Sequence, residues 1–590
     1  MVHSQEMDEK YLKTIEFPKI LERLAGFTSF SASADLAHSL KPVVDLDEAR
    51  LRQKRTTEAR LLLDLSADVT VGGSHDIRPQ VDLAAHGGVL SAAELLDVKT
   101  TLVAARSLGR VFERQGIQFP ALAEIALRLP PPGGIVDAIS RTVSERGEVM
   151  DSASQKLANI RGQVKVAYDR LMGKLQRLLN DPKTAPMLQE GVITQRSGRY
   201  VIPLRAEFKG KIRSIIHDQS SSGATLFVEP IAVVDLNNEW RELQLAERDE
   251  ERRILAELSR EIGLHAAELQ AVVAALAEMD LALACAKYAD EIHAVEPVLL
   301  PFRNSGDKHP GSAIRLYHAR HPLLDPATVV PIDMVLEDDV YSLVITGPNT
   351  GGKTVSLKTV GLMAAMAQAG LHIPAQSGSE ISLFKTIYAD IGDEQSIEQS
   401  LSTFSAHITN IIRILRRADR FSLVLLDELG AGTDPQEGAA LARAILSHLL
   451  ERRITNLVAT HYPELKTFAH STPGVVNASV EFDLKTLRPT YHLTVGLPGR
   501  SNALAIAARL GLPAEIVDAA RSEIAPDELR ADDLLDEIYH QRDLARRARD
   551  QADKLLADAE KKNARLADRL DNIDEERQKL LEQARREAEE

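Results

Sequence analysis

Cysteine is almost absent from this chain. Cys285 stands alone among 590 residues, so an intramolecular disulfide is excluded and no Cys/His cluster offers a tetrahedral zinc site. A reducing compartment fits that usage. Tryptophan is equally scarce, with one residue, and aromatics total 4%. All-β folds lean on Tyr, Phe, Trp and branched side chains, so a large chain rich in Ala, Leu, Glu and Arg is predicted to be mainly helical. Long hydrophobic runs are missing too: no stretch of about 18 uninterrupted apolar residues occurs. The opening segment, MVHSQEMDEKYLKTIEF, has acidic residues where a signal peptide needs an apolar core. Neither membrane spanning nor secretion is expected, and the expected location is cytoplasmic. Positive charge is in deficit, 71 Lys and Arg against 86 Asp and Glu, a formal −15. That balance excludes a chain that coats nucleic acid over its whole surface and leaves room for a local basic patch.

What is present is 44% hydrophobic and 27% charged, enough apolar material for several packed cores at roughly 150 residues per domain. Residues 1–150 read as a helical core of short amphipathic helices. Ser91 and Glu94 have capping-box spacing at the start of one of them, and a Pro/Gly break follows at Pro130 to Gly134. Residues 151–190 read as a long polar arm helix, and residues 231–300 as one returning helix. Between them, 191–230 holds three β-rich runs separated by Ser and Gly turns, which predicts an antiparallel helical arm with a β-rich clamp tip. Residues 191–217 carry Arg196, Arg199, Arg205, Lys209, Lys211 and Arg213 against Glu207 alone, a net +5. Clustered cations of this kind bind phosphate backbones through counterion release, so these six are the candidate nucleic-acid contacts. Residues 301–526 alternate strands and helices as an α/β domain does. Residues 527–590 keep a 3,4 spacing of Ala and Leu, as at Ala545, Ala548, Ala552, Leu555 and Ala559, which predicts a coiled coil and hence a partner helix. The pattern is still running at Glu590, so a natural chain that continues further is expected.

The chemistry lies in the α/β region. Tyr341 to Ile345 is a short apolar run, followed by Gly347, Pro348, Asn349, Thr350, Gly351, Gly352, Lys353 and Thr354 and then a helical pattern. Strand, G-x-x-x-x-G-K-T and helix together form the context a phosphate loop requires. Its glycines let backbone N–H groups approach phosphates, Lys353 reaches the β and γ phosphates, and Thr354 places its hydroxyl on Mg²⁺. A second apolar run, Phe421 to Leu426, ends in Asp427 and Glu428. The first carboxylate is placed to hold Mg²⁺, and the second to polarise the attacking water. Ser400 to Ser405 precede a helix and set hydroxyls at an anion-binding start. Leu457 to His461 is a third apolar strand whose terminal imidazole can meet a γ-phosphate or the water.

Phosphate loop, serine-rich helix start, Asp-Glu strand and Thr-His strand follow the order of ABC-type ATPases. TGPNTGGKT, LSTFSAHI, LLDELGAGTDP and ATHYPEL resemble the MutS family closely, as does Val495 to Arg521. GPNTGGKT with PGRSNA downstream resembles its second bacterial branch, type two. The resemblance implies an ABC-type P-loop ATPase domain using ATP and Mg²⁺. It also implies a homodimer that sandwiches ATP, so that Ser402 caps the γ-phosphate bound by the other subunit. Gln395 then senses Mg²⁺ or water, and Asp434 lies at the subunit boundary. One departure is Val329 to Asp333, where relatives show a phenylalanine before the nucleotide strand; an aromatic stack on adenine from that loop is not expected.

The resemblance implies suppression of homologous recombination and splitting of collided ribosomes, with branched DNA or ribosomal RNA as cargo, and the residues do not separate the two. The mismatch-repair branch begins with a domain that inserts Phe-x-Glu into DNA. This chain starts directly in the helical region, and its Phe227-Val-Glu229 is explained by strand periodicity, so mismatch reading is not expected. The branch usually carries a C-terminal Smr nuclease domain that residues 1–590 do not contain, so endonuclease activity is not assigned to them. The competing reading is an SMC-like structural ATPase, or a mismatch-repair type clamp. An arm of a few dozen residues each way favours the type-two clamp.

Overall fold

The computed structural model describes residues 7–66, 69–304, 309–347, 352–392, 402–483, 488–498, 507–508 and 511–522, with five isolated positions between 551 and 562. The described residues mix helices with three sheets, and the chain divides into two compact units. The first comprises Met1–Leu343, Thr354–Ala459 and Ser471–Val475, and the second Val344–Lys353, Thr460–His470 and Val476–Glu590. The predicted coiled coil lies almost entirely outside the described residues.

The first unit opens with α1 (Glu9–Thr14), α2 (Phe17–Ala25), α3 (Ser31–His38) and α4 (Leu46–Leu65). It continues with α5 (Arg78–Ala85), α6 (Ala92–Gln115), α7 (Pro120–Ala126) and α8 (Ile135–Thr142). Local chemistry sets their starts. Asp45 accepts from the Glu48 amide at the head of α4, and Ser91 and Glu94 close a reciprocal capping box at the head of α6. The apolar faces of α3 to α8 meet in one cluster that includes Leu62, Val98, Leu102, Leu122 and Ile139, joined by Val273 and Leu276 from further along the chain.

The arm follows. Helix α9 (Gln155–Leu179) runs out, and strands β1 (Thr194–Arg196), β2 (Arg199–Arg205), β3 (Ser214–Gln219) and β4 (Thr225–Pro230) form an antiparallel sheet in the order β1-β2-β4-β3. Helix α10 (Ile231–Leu264) returns along α9. Where one returning helix was expected to residue 300, the helix ends and a second, α11 (Ala266–Glu291), starts beyond His265. The reason is compositional: α10 is polar with one buried stripe, whereas α11 is Ala- and Leu-rich and buries most of its residues against α3 and α4. Its mean hydropathy of 1.7 over 18 residues would let it cross a membrane by length and composition, yet 72% of that window is buried in the core.

Few aromatics does not mean scattered ones. Trp240 packs with Tyr200 at 4.9 Å between ring centres and with Tyr168 at 6.4 Å, in the small core where α9, α10 and the tip strands meet. At the root of the arm, Arg161 of α9 donates to Glu247 and Glu251 of α10 at 2.9 and 2.7 Å. Glu250 is buried beside Arg253, Lys156 and Ser154, whose hydrogen bonds hold its carboxyl down at about 2.

Two further sheets follow in the chain. A four-stranded one has the order β5-β9-β6-β7, from β5 (Val298–Leu300), β6 (Ile314–Ala319), β7 (Ile332–Val335) and β9 (Glu380–Ser382). The larger one comprises β8 (Ser342–Thr346), β10 (Thr386–Asp390), β11 (Ser422–Leu426), β12 (Thr455–Ala459), β13 (Val475–Asp483) and β14 (Arg488–Val495). Within the first unit the strands run in the order β10-β11-β12, and within the second in the order β8-β13-β14. β10, β11 and β12 are parallel, with Asp390 opposite Leu426 and Leu426 opposite Val458, and every residue of β8, β11 and β12 is buried. Continuous apolar runs, rather than alternation, are what a sheet covered on both faces needs. Helices α12 (Lys353–Ala369), α13 (Ser402–Arg417), α14 (Pro435–Glu451) and α15 (Pro463–Ser471) intervene between the strands.

Candidate nucleotide site

In the first unit, the chemistry gathers at the C-terminal ends of β10 and β11. Asp427 follows directly on β11, nearly buried, and accepts a 2.5 Å hydrogen bond from the hydroxyl of Thr354 at the start of α12. Its amide donates to the Asp390 carbonyl at 2.8 Å, which ties the ends of the two strands together. Glu428 comes next with φ at 50°, a left-handed conformation that few non-glycine residues adopt. Its carbonyl accepts from Ala431 at 2.9 Å and its amide donates to the Asp427 carboxylate at 3.1 Å, so a tight turn holds the strained residue. Asp434 caps α14 through the amides of Gln436 and Glu437.

Helix α13 is held to the same strand ends by residues that the motifs did not reveal. Asp390, nearly buried, accepts from His407 Nδ1 and from Asn410 Nδ2, each at 2.8 Å, and Lys10 donates to Asn410 Oδ1 at 2.8 Å. Ser402 is the first residue of α13, so this clamp fixes the helix that carries it. Nothing in the spacing signals that contact, because 17 residues of chain separate Asp390 from His407.

In the second unit, Lys353 is 2% exposed and points its ammonium at two backbone carbonyls, Gly347 at 2.8 Å and Thr460 at 3.5 Å. The Thr460 amide donates to Ile345 at 3.0 Å, and exposed His461 lies with its ring 4.5 Å from that of Tyr462. The loop is built on glycine for a geometric reason. Gly347 and Gly352 have φ of 134° and 97°, and a Cβ on Gly352 would stand 3.3 Å from the ring of Tyr491. Tyr491, itself at φ 61° and half exposed, is another residue that sequence reasoning missed. Pro348, Asn349, Thr350, Gly351 and Gln395 lie outside the described residues.

The six tip cations divide into two groups. Arg199 donates to buried Glu229 at 2.8 Å, and that carboxylate also accepts from His217 at 2.6 Å and Asn237 at 2.8 Å. Arg196 lies 4.1 Å over the ring of Phe227 and pairs with Asp218 at 3.1 Å. Arg205 donates to the Leu188 carbonyl at 3.2 Å and approaches Glu207 at 3.9 Å. Lys209, Lys211 and Arg213 are exposed on the segment entering β3, with no ion pair among the described residues.

Comparison with known proteins agrees with the motif order. Residues 343–526 match the model of MutS domain V. A protein of Thermomicrobium roseum called endonuclease MutS2 is 51% identical over 539 residues, 90% of this chain and 68% of the relative. Proteins of the same name from Geobacillus thermodenitrificans and Pelotomaculum thermopropionicum are 44% and 45% identical over 99% of this chain, covering 75% and 73% of their own lengths. With paired Thr354 and Asp427 at the strand end, buried Lys353 on its loop and this likeness over nearly the whole length, the chain belongs to the MutS family, as a paralogue of the MutS2 type.

Proposed function

We propose that the chain is an ATP-hydrolysing clamp that acts as a homodimer on a large nucleic-acid assembly, branched DNA or the RNA of collided ribosomes, in the cytoplasm. The observation that carries the ATPase reading is the contact between Thr354 and Asp427. A hydroxyl and a carboxylate at 2.5 Å are the hard oxygen donors that Mg²⁺ takes, and they sit where α12 begins, so the ion fits these residues. When bound, Mg²⁺ neutralises charge on the β and γ phosphates.

The chain's own groups do the rest. Lys353 exchanges a carbonyl contact for a phosphate, Glu428 takes the proton of the attacking water, and His461 and Gln395 orient that water. Ser402 caps the γ-phosphate held by the other protomer. Gly347 and residues Pro348 to Gly352 supply backbone N–H groups to the phosphates. The assignment by region is a helical core over 1–150, an arm over 151–190 and 231–300 around the clamp tip at 191–230, an ABC-type ATPase domain over 301–526 and a coiled coil over 527–590.

An α9 of 25 residues, about 37 Å long, supports a clamp over an SMC-like structural ATPase, whose coils are far longer. Mismatch reading by Phe227 and Glu229 is disfavoured because the ring is covered by Arg196 and the carboxylate is buried under three donors. Nuclease action, which the name of the relatives carries, is not proposed for these residues.

The test is steady-state ATP hydrolysis. Glu428→Gln is expected to slow turnover by about 10²-fold or more while retaining bound nucleotide, and Lys353→Ala to lose nucleotide binding. Parental turnover in Glu428→Gln removes Glu428 as the base.

A further inference from the structure

Within the first unit, a cleft of about 620 Å³ lies between the segment joining α3 to α4, the inner faces of α4 and α11, and the C-terminal end of α12 at Ala369 and Gly370. Its size is that of sites for small organic molecules. The walls are largely apolar, with Leu36, Leu40, Val43, Val44 and Leu281 among them. They are also fixed in advance. The Val43 amide donates to the Gln368 carbonyl at 3.0 Å and Gln368 Nε2 returns a bond to the Val43 carbonyl at 2.9 Å. Thr56 donates to the Gly370 carbonyl at 2.7 Å.

Charge singles out one side chain. Each acid on the wall is engaged: Glu48 accepts from Arg52 at 2.8 Å, Asp45 caps α4, and Glu278 is bonded twice by Arg128. Arg52 is thereby used, and Lys41 approaches Glu9 at 3.4 Å. Arg55 remains. Its Nε is buried with no hydrogen-bond partner, and its guanidinium pairs with no carboxylate among the described residues. With Nε buried and unpartnered at the wall of an apolar cleft, this guanidinium has donor capacity that an anion in the cleft would complete.

We propose that this cleft is a binding site for a small anionic organic molecule, a carboxylate or phosphate monoester on Arg55 with an apolar body against Leu40, Val44 and Leu281. The site is separate from the phosphate loop, and its occupant would touch α4, α11 and the far end of α12 together. Cys285 lies on the same wall as a neutral thiol, since burial pushes it up to about 12, so it takes no covalent part.

Saturation-transfer NMR on the purified chain tests this with octanoate in one arm and phenyl phosphate in the other, inorganic phosphate being added as a competitor. Saturable binding of octanoate, phenyl phosphate or both is expected, weakened at least about tenfold in Arg55→Gln and unchanged in Lys54→Gln, whose side chain lies outside the cleft. Preference between the two arms identifies the head group. Absence of saturable binding in both arms, or equal affinity in Arg55→Gln, overturns the proposal. Should Arg55→Gln fail to fold, alkylation of Cys285, the chain's one thiol, decides. The ligand that binds is expected to slow alkylation at least about fivefold at saturation, and an unchanged rate overturns the assignment to this cleft.

Discussion

His372 is 2% exposed and sits between two partners of α4. Arg60 donates to its Nδ1 at 3.2 Å, so the ring proton is on Nε2, which donates to Thr57 at 3.0 Å, and Thr57 donates to Glu296 at 2.6 Å. Burial, with the Arg60 charge adding to it, pushes the imidazole down to about 4. Between about pH 6.5 and 4 the unfolded chain binds a proton here that the folded chain refuses, so stability falls as pH is lowered through that window. His321, also held near 4 by burial, acts in the same direction. Urea midpoints at pH 7.5 and 4.5 are expected to drop for the parent and to drop less for His372→Gln; an identical drop refutes the role of His372. Such residues are invisible to pattern reading, since their meaning comes from what covers them. The same holds for Asp390 and Tyr491, whereas Lys353, Thr354, Asp427 and Glu428 stand out in the sequence because the phosphate and metal chemistry proposed for them would dictate residue type and spacing within two short segments.

Elements show a similar division. Capping of α6 by Ser91 and Glu94 and the strand character of β8, β11 and β12 follow from local sequence. The turn at His265 between α10 and α11 does not, because both sides are strong helix formers and tertiary burial decides where the direction changes. The β-rich segment proposed as a clamp tip illustrates why charge counting overreaches: the net charge of residues 191–217 is +5, yet Arg199 serves the buried Glu229 and Arg196 covers Phe227. Phosphate contact is therefore expected mainly from Lys209, Lys211 and Arg213. Replacing all three by Ala should reduce the slope of log affinity against log salt by about 2–3, at about 0.7–0.9 per lost contact, in filter binding of branched DNA or ribosomes. Arg199→Ala should instead lower the thermal midpoint, because it leaves a buried carboxylate short of its guanidinium. An unchanged salt slope in the triple variant would take this edge of the tip off the binding surface.

For the whole molecule, the proposed composite site makes a stoichiometric prediction. Ser402→Ala and Lys353→Ala chains are each expected to be weak ATPases, and mixtures should regain activity in proportion to the mixed dimer, in which one site has both residues intact. Failure to regain turnover at any ratio would mean that each protomer works alone. A different consequence follows from α11. Its hydropathy is that of a segment able to enter a bilayer, yet the helices that cover it, α2 to α7 and α10, all precede it in the chain. During vectorial synthesis at roughly 5–20 residues per second, the covering helices have left the ribosome before this greasy helix emerges, so it can dock at once. Chains whose translation starts beyond α4 would release α11 without α3 and α4, two of the helices that cover it, and sedimentation of such shortened products with membranes or aggregates would record that order of assembly.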